Sequence, residues 1–244
     1  MPEYLFLPLC RFDALTLLGG AMERHFDEEL KELKNRLLYM GGLAEKMISD
    51  SIKALAERKE GMIDDIYKKE NEVNLLQVEI DDRATKMMAL HQPAAADLRF
   101  LITAIKINSE LERMGDQAVN ICQSAAELLK QPQLKPLIDI PRMSDISTTM
   151  VRDSLNSFVE QDAKLAKAVC ERDDEVDDLK DQIFRELLTY MMSDANTIQR
   201  AMELILVSRN LERIGDLATN IAEEVIFMVE GRDIRHHVTD NLDK

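Results

Sequence analysis

A chain of 244 residues with 45% hydrophobic side chains can bury one large core or two smaller ones. Its formal net charge of -15 disfavours nonspecific binding to nucleic acid or to anionic lipid, since both call for a basic surface. With no Trp, only 8 Gly and 6 Pro, and an abundance of Leu, Met, Ala, Glu and Lys, the composition predicts long helices.

In chain order, residues 1–21 are set apart. Tyr4 to Cys10 and Ala14 to Leu18 are apolar, but Glu3 stands where a secretion signal carries positive charge. The segment is read as an N-terminal extension, disordered or a mis-assigned start, with the native protein beginning near Met22. Three helices are then expected over 24–57, 61–90 and 94–130, with Pro93 suited to a first helical position. The stretch 131–141, carrying Pro132, Pro136 and Pro141, reads as a linker. Three further helices are expected over 143–160, 162–191 and 195–230, with Ser193 as N-cap of the last, and residues 236–244 form a tail. The domains are therefore 22–130 and 142–235. No run approaches the roughly 20 apolar residues of a membrane span. Cys10, Cys122 and Cys170 show no metal-type spacing and read as reduced packing residues of a cytoplasmic protein.

The two halves repeat each other. Leu111-Glu112-Arg113-Met114-Gly115-Asp116-Gln117-Ala118-Val119-Asn120-Ile121 returns as Leu211-Glu212-Arg213-Ile214-Gly215-Asp216-Leu217-Ala218-Thr219-Asn220-Ile221, with eight of eleven positions identical. Packing alone tolerates many hydrophobic swaps, so retained Glu, Arg, Gly, Asp and Asn point to a site carried twice. Met47 to Ile52 aligns with Met150 to Leu155, and Glu70 to Asn74 with Asp173 to Asp177, both at an offset of 103. The offset falls to 100 for the last helix of each half, so the preceding turn has changed length. Three helices used twice predict an all-α protein of two tandem, pseudo-symmetric, antiparallel three-helix bundles.

On the third helix Leu111, Met114, Ala118, Ile121 and Ala125 form a heptad-like seam. Glu112, Asp116 and Asn120 lie nearly opposite it, on a face that begins apolar at Leu98, Leu101 and Ile105 and turns acidic. Glu212, Asp216 and Asn220 repeat the arrangement. The second helix of each half supplies Glu70 and Asn74, or Asp173 and Asp177, at matching distance from the turn. Carboxylates so gathered repel unless they are protonated, paired with a cation or holding a metal. Oxygen-only ligands suit Mg, Mn or Fe, while Arg113 and Arg213 are close enough to neutralise part of the charge. The competing structural reading is an Arg–carboxylate network. Gly115 and Gly215 interrupt the helices, which suggests close approach of a neighbour. His25, His91, His236 and His237 belong to no Glu-x-x-His motif, and no phosphate loop or nucleophile triad occurs, so no enzyme is expected. The 14 Met read as core fillers, with some available to a partner surface.

These motifs resemble the PhoU family. Further matching segments are Met40 to Glu45, Gln92 to Arg99, Leu188 to Met192 and Gly231 to His236, so the resemblance runs from about 22 to 236. It implies a cytoplasmic negative regulator of the phosphate-starvation response. Such a regulator links the ATPase subunit of the phosphate ABC transporter to a sensor histidine kinase, and restrains uptake when phosphate is plentiful. It implies a homodimer, peripheral to the membrane through its partners only and without nucleic-acid contacts. It also implies E(D)xxxD metal motifs, which fall on Glu70, Glu112 and Asp116 and on Asp173, Asp177, Glu212 and Asp216. Asn74, Arg113, Asn120, Arg213 and Asn220 are then supporting residues. Asn74 stands where the pattern asks for a carboxylate, which predicts a weaker first site. The alternative function is a metal-storage or metal-dependent catalytic bundle.

Overall fold

The computed structural model describes residues 13–231. Cys10, His236 and the tail 236–244 lie outside the described residues. Six helices follow one another: α1 Asp13–Ala56, α2 Ile63–His91, α3 Ala95–Leu129, α4 Asp139–Glu160, α5 Ala163–Ser193 and α6 Ile198–Glu230. Short 3-10 turns, Glu60–Met62 and Ala195–Thr197, lead into α2 and α6. Helices α1 to α3 and α4 to α6 pack as two three-helix bundles, as the doubled pattern predicts.

Several boundaries differ from expectation for physical reasons. Residues 13–21 are helical and continue into α1, so this part of the segment set apart as an extension joins the helix. Helix α4 begins at Asp139, four residues earlier than expected, with Pro141 in its first turn. There the missing N–H of proline has no intrahelical partner to lose. Pro93 precedes α3 by two residues, between a left-handed Gln92 (φ 45°) and an extended Ala94. Ser193 ends α5 and bonds back to Thr189 O, while Asp194 caps the following turn by accepting from Asn196 N at 2.9 Å. The register change has a visible source: His91 maps onto Asp194 and Ala95 onto Ala195, so Gln92, Pro93 and Ala94 have no counterpart.

A pair of equivalent ion pairs fastens the second helix of each bundle to the first. Lys69 Nζ lies 3.1 Å from Asp50 Oδ2, and Arg172 Nη1 lies 2.8 Å from Asp153 Oδ2. Asp50 is buried and is also held by Lys46 at 2.9 Å. Burial alone pushes its carboxyl up, but hydrogen bonds from Lys46 and Lys69 outweigh this and leave it below the usual range.

The two bundles are not beads on a string. Helix α3 packs on α6 and α1 on α4, and one continuous hydrophobic core runs through both halves. Phe100 of α3 stacks on Phe158 of α4 with ring centroids 4.8 Å apart. Gly41 makes the α1–α4 approach possible, because a Cβ there would collide with the Leu155 side chain. Lys106 of α3 reaches both carboxylate oxygens of Glu224 on α6 at 2.8 Å, and Arg152 of α4 pairs with Glu45 of α1 at 2.6 Å. The connection between α3 and α4 is pinned as well. Arg58 donates to Leu129 O and Gln131 O, Arg200 to Pro132 O, and the buried Lys135 pairs with Glu186. Among the described residues no helix is long and apolar enough to cross a membrane.

Candidate functional site

The hairpin α2–α3 brings Glu70 to Glu112 and Asp116, and α5–α6 brings Asp173 and Asp177 to Glu212 and Asp216. Each set reports its crowding through its acidities. Partial burial pushes the Glu112 carboxyl up, and the charges of Asp116 and Glu70 add to this, against Arg113. Asp116 is raised by burial and then by Glu70. In the second set Asp173 rises to about 6, through burial first and then the charges of Asp216, Asp177, Asp174 and Glu212. Asp216 is raised by burial, Glu212 and Asp177, with Lys180 and Arg213 opposing. Carboxyls raised in this way favour any added positive charge, proton or metal.

The two sets are built differently. In the first, Asn74 Nδ2 donates to Glu70 Oε1 at 2.7 Å, so the amide occupies one face of the carboxylate. In the second, Lys180 Nζ lies 2.8 Å from Asp177 Oδ1 and 3.2 Å from Glu212 Oε1. Its own acidity is weakened by these bonds, chiefly the one to Asp177. Gln77 stands at the position of Lys180 in the first half. The fourth carboxylate of the second set is thus offset by an internal ammonium, and the formal charge of the two sets is equal.

Glycine matters most in the second set. A Cβ on Gly215 would lie 3.3 Å from Asp173 Oδ1, so the bare backbone of α6 is what lets this carboxylate in. At Gly115 the nearest atoms are Val73 Cγ1 at 3.5 Å and Met47 Cε at 3.6 Å, ordinary contacts.

The supporting residues divide. Arg113 pairs with Glu110 at 3.0 Å on its own helix, and Asn220 of α6 hydrogen-bonds the same Glu110 across the bundle interface. Arg113, Arg213 and Asn220 border a cleft between α3 and α6 that Asp216 of the second set also lines. Asn120 lies half-buried on α3. Lys180, Glu110 and the Lys106–Glu224 pair are the residues that sequence reasoning missed. Only Lys180 left a local trace, three residues beyond Asp177 on one helix face.

The donor chemistry of both sets suits a hard cation, all ligands being carboxylate or amide oxygen. Their placement does not amount to a cage: among the described residues no three His, Cys, Asp or Glu side chains are grouped so as to hold a metal ion. The thiols offer no substitute. Burial pushes Cys122 up to about 12 and Cys170 up to about 11, and both are free. His91 is committed elsewhere, 2.7 Å from Glu29.

A family model described as PhoU domain matches residues 37–125 and again 140–225, one match in each half and each containing one copy of the eleven-residue run. The chain belongs to the PhoU family. A relative from Aquifex aeolicus, named phosphate-specific transport system accessory protein PhoU homolog, is 43% identical over 209 residues, covering 86% of this chain and 95% of its own length. A homolog of the same name from Pseudomonas putida is 38% identical over 216 residues, covering 88% of this chain and 84% of its own. The crystal structure of PhoU from Pseudomonas aeruginosa superposes with a TM-score of 0.82 at 36% identity, covering 85% of this chain and all (100%) of that one. The phosphate transport system regulatory protein PhoU from Streptococcus pneumoniae gives a TM-score of 0.80 at 29% identity, over 86% of this chain and 99% of that one. PhoU membership thus rests on sequence and fold together.

Proposed function

We propose that this protein is an accessory protein of phosphate transport that acts as a negative regulator of the phosphate-starvation response. In this reading it is a non-enzymatic cytoplasmic adaptor, working as a homodimer. It contacts the ATPase subunit of the phosphate ABC transporter and a sensor histidine kinase, and meets the membrane only through them. The observation that carries the reading is the PhoU domain matched twice, in a chain whose full-length relatives are named as accessory to phosphate-specific transport. The net charge of -15 supports basic partner surfaces over nucleic acid or anionic lipid.

The acidic sets are assigned to divalent or iron-type cations, with Fe, Mn and Mg as candidates. Glu70, Glu112 and Asp116 would hold a cation in the first bundle, and Asp173, Asp177, Glu212 and Asp216 in the second. The support is the facing of carboxylates across each hairpin, whose weakened acidities reflect mutual repulsion that a cation would relieve. A bound cation would neutralise repulsion between α2 and α3, or α5 and α6, and so brace each hairpin.

Expression of phosphate-starvation genes in a clean deletion strain, grown with ample phosphate, tests the regulatory reading. Elevated expression, restored by the intact gene, is expected, and unchanged expression rejects it. Elemental analysis of the purified protein beside D173N/D177N/E212Q/D216N tests the cation assignment. Wild type is expected to carry metal that the variant loses at unchanged helicity, and equal metal content in the two rejects these ligands.

A further inference from the structure

The duplication has placed two arginines at matching positions of the two helices that join the bundles. Arg113 of α3 and Arg213 of α6 line one cleft of about 580 Å³, together with Gln117, Asp216, Thr219 and Asn220. Guanidinium groups present planar arrays of donors that fit tetrahedral oxyanions, so two lining one cleft favour an anion there. The symmetry is broken in a useful way. Arg113 is tied to Glu110 at 3.0 Å, whereas Asn210 takes the place of Glu110 in the second half and donates to Leu206 O at 2.8 Å. Arg213 has no close ion pair among the described residues, although its charge acts on Asp216 of the same cleft, so one arginine is fixed and the other less so.

Two further walls of the same cleft carry unspent hydrogen-bonding capacity. Gln117 Oε1 and Thr219 Oγ1 are buried, yet neither has a hydrogen-bond partner. Leaving such atoms unpaired is unfavourable, and a rotation of either side chain toward a ligand would relieve it. Thr219 offers a hydroxyl that donates or accepts, while the Gln117 carbonyl and the Asp216 carboxylate only accept. A wall that mixes two guanidiniums with acceptors suits an anion that still has an O–H to give.

We propose that the α3–α6 cleft binds inorganic hydrogen phosphate, with Arg113 and Arg213 on its bare oxygens and the acceptors of the wall on its protonated one. Sulfate has the same shape and charge but no proton, so it would set an oxygen against an acceptor. A phosphomonoester has mostly lost its second proton at about pH 7 and suffers similarly. The site adjoins the second acidic set, sharing Asp216 with it, but its anion contacts come from the arginines and need no cation.

Equilibrium dialysis of radiolabelled orthophosphate against the full chain, at physiological ionic strength and with or without chelator, tests this. The expected result is saturable binding that survives chelation and is not displaced by equal sulfate or phosphoserine. It should weaken by about tenfold or more in R213Q and R113Q, with helicity kept. K53Q, which removes a cation lining a separate groove between α1 and α4, should bind as wild type does. Absence of saturable binding overturns the proposal, as does equal affinity in both arginine variants or equal displacement by sulfate. Binding lost on chelation also overturns it, because the phosphate then sits on a cation at the acidic sets. The outcome is separable from the regulatory reading: a chain that binds no phosphate can still repress, and a chain that binds it can fail to.

Discussion

Lys180 of α5 reaches across to Glu212 of α6, Nζ 3.2 Å from Oε1, while also holding Asp177 at 2.8 Å. The second acidic set therefore carries its own counter-ion, and any added cation competes with it. Replacing the ammonium by Gln, the residue that Gln77 supplies in the first bundle, removes this competitor. K180Q is expected to raise affinity for Mn or Mg at the second set by about tenfold or more. Calorimetric titration of wild type and variant checks it, and unchanged affinity would remove Lys180 from any role in cation uptake.

Asp173 should give the chain a pH signature. Its carboxyl is pushed up to about 6, against 3.8 for an ordinary Asp, so the folded chain holds this proton more tightly than the unfolded one. Folding is consequently penalised as pH rises through that interval, fully so above the upper value, and the penalty is absent below the lower one. D173N is expected to stabilise the protein at about pH 7, with the gain fading toward about pH 4. Urea midpoints of variant and wild type across this range measure it; a gain independent of pH would assign the effect to something other than ionisation.

The two mid-helix glycines should respond in opposite ways to alanine. Relative to alanine, each glycine costs a helix interior about 1 kcal/mol. G115A meets only ordinary contacts with Val73 and Met47 and is expected to stabilise by up to that amount. G215A places Cβ 3.3 Å from Asp173 Oδ1, so the carboxylate must shift and the gain should be cancelled or reversed. Thermal midpoints of the two variants compare them directly, and equal gains would mean that Gly215 is not what admits Asp173.

Asp50 is clamped by two lysines, and its pairing should show strong coupling. K46M or K69M alone leaves one ammonium in place and should cost little. The double variant leaves a buried carboxylate uncompensated, at about 3–5 kcal/mol. A double-mutant cycle by chemical denaturation reads the excess, and simple additivity would show that neither lysine substitutes for the other.

Much of this architecture was legible in the sequence, and what was not has specific causes. Identity at polar positions such as Glu112 and Glu212 made the duplication plain, and hairpin geometry then aligned Glu70 with Glu112 and Asp116. Lys69 and Arg172 do the same work in the two halves, but a change of residue type hid them from a search for identity. Lys180 looked like one more solvated i,i+3 neighbour of Asp177, and only the packing of α5 on α6 brings Glu212 within its reach. Amphipathic periodicity shows that a helix buries a face without showing against what. The stack of Phe100 on Phe158, and with it the shared core, lay beyond that signal. Pro141 read as part of a linker because a proline ends most helices, yet it is tolerated in the first turn of α4.

The pseudo-two-fold packing of α3 on α6 and α1 on α4 also speaks to ancestry. A half-length chain carrying one bundle would have left the Phe100 face of α3 open to water, and pairing with a second copy through the α1 and α3 surfaces would have covered it. Fusion of two such copies freed each half from having to match itself. Leu155 could then settle against Gly41, Asn210 could diverge from Glu110, and Lys180 could arise opposite Gln77 without being imposed twice. In this sense the asymmetric chemistry of the molecule is the product of a covalent tie between what began as interchangeable partners.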